Sequence, residues 1–446
     1  MTSREKLIHL NYILIFLVIW LFNVLFQEQL YAYSLEIIVE MIKKQSEFEL
    51  QVWEFLSYIG AGKVYPYIIM AVLCWSGPIH GFYLQLFYSA QGQIMTTVKL
   101  LLAAPRPYMT DDRISLQVCY QGYGNPSGHA LMASAFSTIM LLSFYHTEKQ
   151  RHLTMSQRLK EWKYIGCLAV VIVHSFLQTY NRLPVAAHSI DQILNGAILG
   201  FWVAFYFHYC FRTQVLQHVK TLIKPDILEQ YNVRLYRSQN ITRAVSMYII
   251  FFGIMVLSYF YIDYVYPTPE DWIRRVNEKC NNPPILATFQ YVSLYFSQSV
   301  ALGLGSYIAL QFRSAYFPNS CSTFYNWKAF TLRAIFVVSV DLFITYLTDM
   351  IPWTVSSLWI IIVFKAQLPS LIRGFIIYAF PDQLLYLLGN TFQWEFTKKS
   401  TSQTSSEMSF ELLNQQLLPK KKSVSFEDTR NSSSRDNDEE SSKGIN

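Results

Sequence analysis

Three short blocks carry side chains that could do chemistry on a phosphate. They are Lys99-Leu-Leu-Leu-Ala-Ala-Pro-Arg106-Pro107, then Asn125-Pro-Ser127-Gly128-His129, then Asn181-Arg182-Leu-Pro-Val-Ala-Ala-His188. Together they offer the cations Lys99, Arg106 and Arg182, a hydroxyl, a glycine turn and two imidazoles. A phosphate monoester carries up to two negative charges and leaves as an alkoxide. Its cleavage needs cations on the oxygens, a nucleophile at phosphorus and an acid for the leaving group. Lys99 and Arg106 stand two helical turns apart and can share one helix face. Arginine gives a planar fork for two oxygens, while lysine acts as a point charge. Ser127 is placed like an N-cap before an apolar run, and Gly128 lets backbone N–H groups approach an anion at a helix N-terminus. An imidazole such as His188 can attack phosphorus if it is neutral and oriented by a partner on its other ring nitrogen. Asp191, one turn further on, is a candidate for that partner. Taken singly, each block has a plainer reading: a snorkelling lysine, a loop serine, a structural histidine. Three such blocks in order, each at the end of an apolar run, point to a site.

The elements that must position them are membrane helices. Of 446 residues, 52% are apolar, 16% aromatic and only 15% charged, against about 25% charged in soluble domains. Ionised groups are costly at mid-bilayer, so repeated crossings explain the deficit. The net charge of +6 fits membrane topology, and no basic stripe with interleaved aromatics suggests nucleic acid. A spanning helix needs about 20 mostly apolar residues. Candidates lie near 8–26, 63–80, 83–103, 129–146, 164–181, 189–209, 244–264, 287–311, 330–349 and 366–389. The first lacks a small-x-small cleavage site and reads as a retained anchor. Lys365, Pro369 and Arg373 interrupt residues 354–389, which hold one helix or two. The expected fold is therefore all-α: a polytopic bundle of about ten transmembrane helices.

Basic loops set the orientation. Lys149, Arg151, Arg158, Lys160 and Lys163 mark one cytoplasmic loop, and Arg212, Lys220, Lys224, Arg234, Arg237 and Arg243 another. All three blocks then open to the opposite, lumenal or extracellular, side. The expected organisation is an anchor and connector over 1–62, a catalytic bundle over 63–210, additional helices over 211–396, and a disordered cytoplasmic tail over 397–446 that is rich in Ser, Lys, Glu, Asp and Asn. Cys74 and Cys167 fall in apolar runs and read as core. Cys119 and Cys280 fall in loops on the side of the site, where they either pair or remain free thiols. No Cys/His spacing suggests zinc or another metal.

The blocks resemble the signature of the type 2 phosphatidic acid phosphatase superfamily, Lys-x6-Arg-Pro, Pro-Ser-Gly-His and Ser-Arg-x5-His-x3-Asp. The first two match in full. In the third, Arg182 and His188 match, Asn181 replaces Ser, and Gln192 stands at the Asp position. The resemblance spans residues 99–192. It implies a metal-independent helical-bundle phosphatase with no cofactor, His188 as nucleophile and His129 as acid. Lys99, Arg106, Ser127, Gly128 and Arg182 would bind phosphate. Either Asp191 or Gln192 would orient His188. A glucose-6-phosphatase-like third block also carries Gln there, whereas the short 107–126 loop is more like the lipid-phosphate members. The implied partners are the bilayer and a phosphorylated lipid, such as a sphingoid-base phosphate, phosphatidate or isoprenyl phosphate. The alternatives are a sugar phosphate, or a catalytically silent relative that binds or moves phospholipid. The implied location is the endoplasmic reticulum with the site facing the lumen.

Overall fold

A computed structural model describes residues 3–60, 62, 64–115, 122–150, 152–223, 233–280, 294–317, 327–351 and 358–392. The expected tail, 397–446, lies outside them. The first half of the chain forms α1 (Ser3–Lys44), α2 (Glu47–Ile59), α3 (Val64–Ser76), α4 (Pro78–Leu102), the short α5 (Pro107–Thr110), α6 (Gly128–Tyr145), the short α7 (Met155–Arg158), α8 (Trp162–Tyr180) and α9 (Ile190–Ile223). Then follow α10 (Val233–Val265), α11 (Glu270–Lys279), α12 (Gln298–Tyr316), α13 (Trp327–Asp349), α14 (Leu358–Ile361), a π turn (Ile362–Gln367), α15 (Leu368–Ala379) and α16 (Pro381–Phe392). No strand occurs among the described residues.

The protein is an all-α integral membrane bundle. Seven described helices are long and apolar enough to cross a bilayer, or eight if the bent pair α2–α3 counts as one span. α4 and α12 correspond to two further expected spans but carry too many polar groups to pass that test. Gln85, Gln91, Gln93, Thr96 and Lys99 of α4, and Ser306, Gln311 and Arg313 of α12, are all buried. Both helices are interior, so their polar groups are turned toward protein. The lipid-facing role falls to helices such as α1, α8 and α10, where Leu17, Val18, Val170, Ile172, Ile249 and Leu257 are exposed. Cys167 on α8 is exposed as well, which corrects its expected core placement: an apolar run on an outer helix need not face inward. Cys74 is buried, as expected. In the interrupted stretch near 354–389, Pro369 lies at the start of α15. It has no N–H to donate, and the preceding residues run as a π turn rather than breaking the span.

Consecutive long helices alternate in direction, so α4, α6, α8 and α9 bring the three blocks to one end. Their other ends meet at the far side, where Tyr164 of α8 bonds His146 at the end of α6. α6 and α9 pack backbone to backbone. A Cβ at Gly196 would lie 2.6 Å from Ser127 O, and one at Gly200 2.4 Å from Leu131 O. This Gly-x3-Gly stripe is the usual means of close helix approach in membranes. α1 is more than an anchor: Ser34 Oγ accepts from Ile190 N at 2.8 Å, so it caps α9 from outside.

Candidate active site

Backbone hydrogen bonds interlock the three blocks. Gly124 N donates to Ala104 O at 2.7 Å, and Ser127 N to Gln192 O at 2.9 Å. The turns between helices are held in tight geometry. Ala103, which ends α4, and Ala186, just before His188, both have positive φ, 41° and 53°. A non-glycine residue adopts that region only where its surroundings enforce it.

The cations converge inside this frame and are all buried. Lys99 Nζ donates to Tyr123 O at 2.9 Å. Arg106 donates from Nε to Gly122 O and from Nη1 to Ala187 O, both at 2.8 Å. Arg182 donates from Nε to Asn181 Oδ1 at 2.6 Å and from Nη2 to Ser57 Oγ. Asn181, one of the two residues that depart from the signature, therefore orients the neighbouring guanidinium. Ser127 occupies the N-cap of α6, yet its hydroxyl makes no cap bond. That hydroxyl is buried and meets no partner among the described residues. It is thus available to an anion at the α6 N-terminus, alongside the N–H of Gly128.

His188 is held by both ring nitrogens. Arg106 Nη1 lies 3.0 Å from Nε2, and Gln192 Oε1 lies 3.2 Å from Nδ1. Arginine can only donate, so Nε2 must carry a lone pair. The amide of Gln192 is fixed by Nε2 donating to Pro105 O at 2.6 Å, a group that can only accept. Its Oε1 therefore faces the ring, and Nδ1 carries the proton. Burial first, then the charges of Arg106 and Lys99, hold the His188 imidazole well below its usual pKa. The ring is neutral, with its lone pair aimed into the cation cluster. Of the two candidate partners, Gln192 reaches it. Asp191 Oδ1 instead accepts from Ser189 Oγ at 2.5 Å and bonds the residue beside the histidine. His129 is half-buried nearby, its ring bonded by the Ser57 backbone, with Arg182, Arg106 and Lys99 as charged neighbours.

The structure thus brings Lys99, Arg106, Ser127, Gly128, His129, Arg182 and His188 together and sets Asp191 one step back. The family model of the PAP2 superfamily matches residues 81–216. That stretch of the chain is similar to the PAP2 superfamily. In general terms that similarity supports a membrane phosphatase. Among solved structures, a transmembrane PAP2-type phosphatidylglycerolphosphate phosphatase from Bacillus subtilis is similar, at 15% identity and a TM-score of 0.37, over 44% of this chain and 93% of that one. No curated protein matches the sequence.

Several residues outside the three blocks also shape the site. Asn195 Nδ2 donates to Asn125 Oδ1 at 2.7 Å, and Asn125 Nδ2 to Asn23 Oδ1 at 3.2 Å, so a ladder of amides ties α9, the serine loop and α1. α11 lies over the loop after Arg106. Lys279 Nζ donates to the carbonyls of Tyr108, Asp111 and Ile114 at 3.0–3.1 Å, and Arg275 to Met109 O and the Asp112 carboxylate. The next residue, Cys280, is disulfide-bonded. Cys119, with which it either pairs or does not in the sequence reading, lies outside the described residues. Sequence offered one signal for this brace: α11 is short and amphipathic and so cannot span.

Proposed function

We propose that the protein hydrolyses a phosphate monoester through a phosphohistidine on His188, without a metal. The observation that carries this reading is the hydrogen-bonded state of His188: Nδ1–H is held by Gln192, and Nε2 is left as a lone pair among cations. The substrate phosphoryl group sits among Lys99, Arg106 and Arg182, with the Ser127 hydroxyl and the Gly128 N–H on its remaining oxygens. The Arg106 N–H that meets Nε2 in the free protein turns to a phosphoryl oxygen. Nε2 then attacks phosphorus, the P–N bond forms and the P–O bond to the alcohol breaks. Protonated His129 gives its proton to the departing oxygen. Water next attacks phosphorus, His129 takes a proton from it, and the P–N bond breaks to release phosphate. The three cations neutralise charge on the transferring group, the task a metal performs in other phosphoryl transfers.

The substrate in this reading is a lipid phosphate. Its site lies at the ends of membrane helices, where an acyl or prenyl tail stays in lipid while the headgroup reaches the cations. Gln192 favours a second reading, a sugar phosphate as in glucose-6-phosphatase-like enzymes. The site faces the lumen of the endoplasmic reticulum and the tail faces the cytoplasm. A disulfide at Cys280, on the catalytic face, supports an oxidising compartment there. The test is phosphate release by membranes carrying the protein, with chelator present. Sphingosine phosphate, phosphatidate, an isoprenyl phosphate and glucose 6-phosphate are compared, with His188→Ala as blank. Chelator-resistant release from a lipid, lost in the variant, is the expected result. Release from the sugar phosphate alone would replace the lipid reading. Full activity in His188→Ala would overturn the mechanism.

A further inference from the structure

The far ends of α6 and α9 enclose a cavity of about 240 Å³ that the catalytic reading does not use. It lies about 30 Å from His188 by the rise of α9, at the opposite membrane face. Its lining includes His146, Glu148, Arg158, His208, Arg212 and Thr213. Arg158 is buried; it donates to the carbonyls of Tyr145 and Gln150 and so covers the end of α6. His208 Nε2 donates to His146 O at 3.0 Å, and His146 Nδ1 bonds the Tyr209 hydroxyl at 3.0 Å. These groups build the walls. Glu148 Oε1 accepts from Thr213 at 2.7 Å, and its charge acts on Arg212, so among the lining residues one carboxylate faces two guanidinium groups. Arg212 Nε is buried and meets no hydrogen-bond partner among the described residues.

A cation lining a polar cavity with an unused buried donor calls for an anion, because an unsatisfied charged donor costs more than a neutral one. Arginine's fork matches phosphate oxygens, and the cavity is too small for a large ligand but holds a phosphate with a small polar substituent. We propose that this cavity is a second, non-catalytic site for a phosphate group, held by Arg212 at the membrane face opposite the active site. The phosphate comes either from the headgroup of an anionic phospholipid in that leaflet or from the free ion. The proposal is independent of the catalytic reading.

The test uses full-length protein, Arg212→Gln and Arg212→Lys. Release of phosphate from the working substrate checks that each variant is folded, since Arg212 is remote from the catalytic cluster. In one arm, native mass spectrometry compares adducts of phosphatidylglycerol and phosphatidylcholine. Phosphatidylglycerol is a diester and so is not consumed as a phosphomonoester. In the other, calorimetry counts inorganic phosphate bound per chain. A lipid source predicts a preference for phosphatidylglycerol that falls about tenfold in Arg212→Gln and is largely kept in Arg212→Lys. A free-ion source predicts a bound phosphate in the wild type that is lost in Arg212→Gln. Binding by Arg212→Gln equal to wild type in both arms overturns the proposal. So does wild-type protein with no lipid preference and no bound phosphate.

Discussion

At the scale of single residues, the neutral partner of His188 sets how the site responds to pH. A carboxylate beside an imidazole favours the imidazolium, whereas the Gln192 amide orients the ring without adding charge. With the His188 pKa already depressed by burial and by Arg106, its protonation limb in kcat/KM is expected below pH 6.5. Gln192→Glu places a charge at Nδ1 and loses the donor to Pro105 O. Its acid limb should move to higher pH, because a raised pKa leaves more of the ring protonated and without its lone pair. A profile of kcat/KM against pH checks this, and an unmoved limb would mean that Gln192 does not govern His188. Gln192→Leu removes the orienting acceptor and should lower kcat about 10- to 100-fold. Folding is linked to the same group. The unfolded ring takes up its proton near pH 6.5, the folded one only at lower pH, so stability present above 6.5 is lost as pH falls through that window. A flatter decline in His188→Asn, followed by thermal melting in detergent, is the expected signature. The three blocks were legible in the sequence because they join fixed residue types at fixed spacing. The choice between Asp191 and Gln192 was not, because both lie about one helical turn from His188 and only the turn geometry around Pro105 selects between them.

At the scale of elements, the site depends on two contacts that no motif announces. One is the α6–α9 crossing. Gly196→Ala puts a methyl within 2.6 Å of Ser127 O, a distance real Cβ atoms do not tolerate. The crossing must open, at a cost of about 1–3 kcal/mol, and the Ser127 loop moves with it. Loss of activity larger than the loss of melting temperature alone explains is expected, measured on protein that remains monodisperse. The other contact is α11. Lys279→Met keeps the stem and deletes the ammonium that gathers the carbonyls of Tyr108, Asp111 and Ile114. Those carbonyls lie on the chain leaving Arg106. The expected result is a rise in KM of about tenfold with little change in kcat. The apolar runs were readable from composition and length; the described residues hold seven or eight candidate spans, part of the 287–311 run lies outside them, and the last run falls on two helices, α15 and α16. α11 was not readable as part of the site, because its role comes from a tertiary contact formed more than 150 residues away in sequence.

At the scale of the whole molecule, the helices beyond residue 233 are fastened to one another and to α3 by buried ion pairs and hydrogen bonds. Asp382, at the start of α16, bonds Arg313 of α12 and Arg333 of α13, and all three are buried. Arg333 also donates to Cys74 O on α3 at 3.0 Å, which carries the tie to the first half of the chain. A second tie joins α13 to α15 and α3: Arg373 of α15 pairs with Asp341 of α13 at 3.2 Å, and Tyr67 of α3 donates to that carboxylate at 3.0 Å. A buried carboxylate between two guanidinium groups cannot be removed cheaply, since two cations then face each other in a medium that screens poorly. Asp382→Asn should therefore destabilise the protein by about 3–5 kcal/mol, read as a lower melting temperature in detergent. Asp382→Asn combined with Arg333→Leu should recover part of that loss, because the second change removes one of the stranded charges. Residual activity per folded molecule should stay near wild type in both, as the tie lies at the end of the bundle away from His188. A loss of activity without loss of stability would instead mean that these added helices take part in shaping the catalytic end.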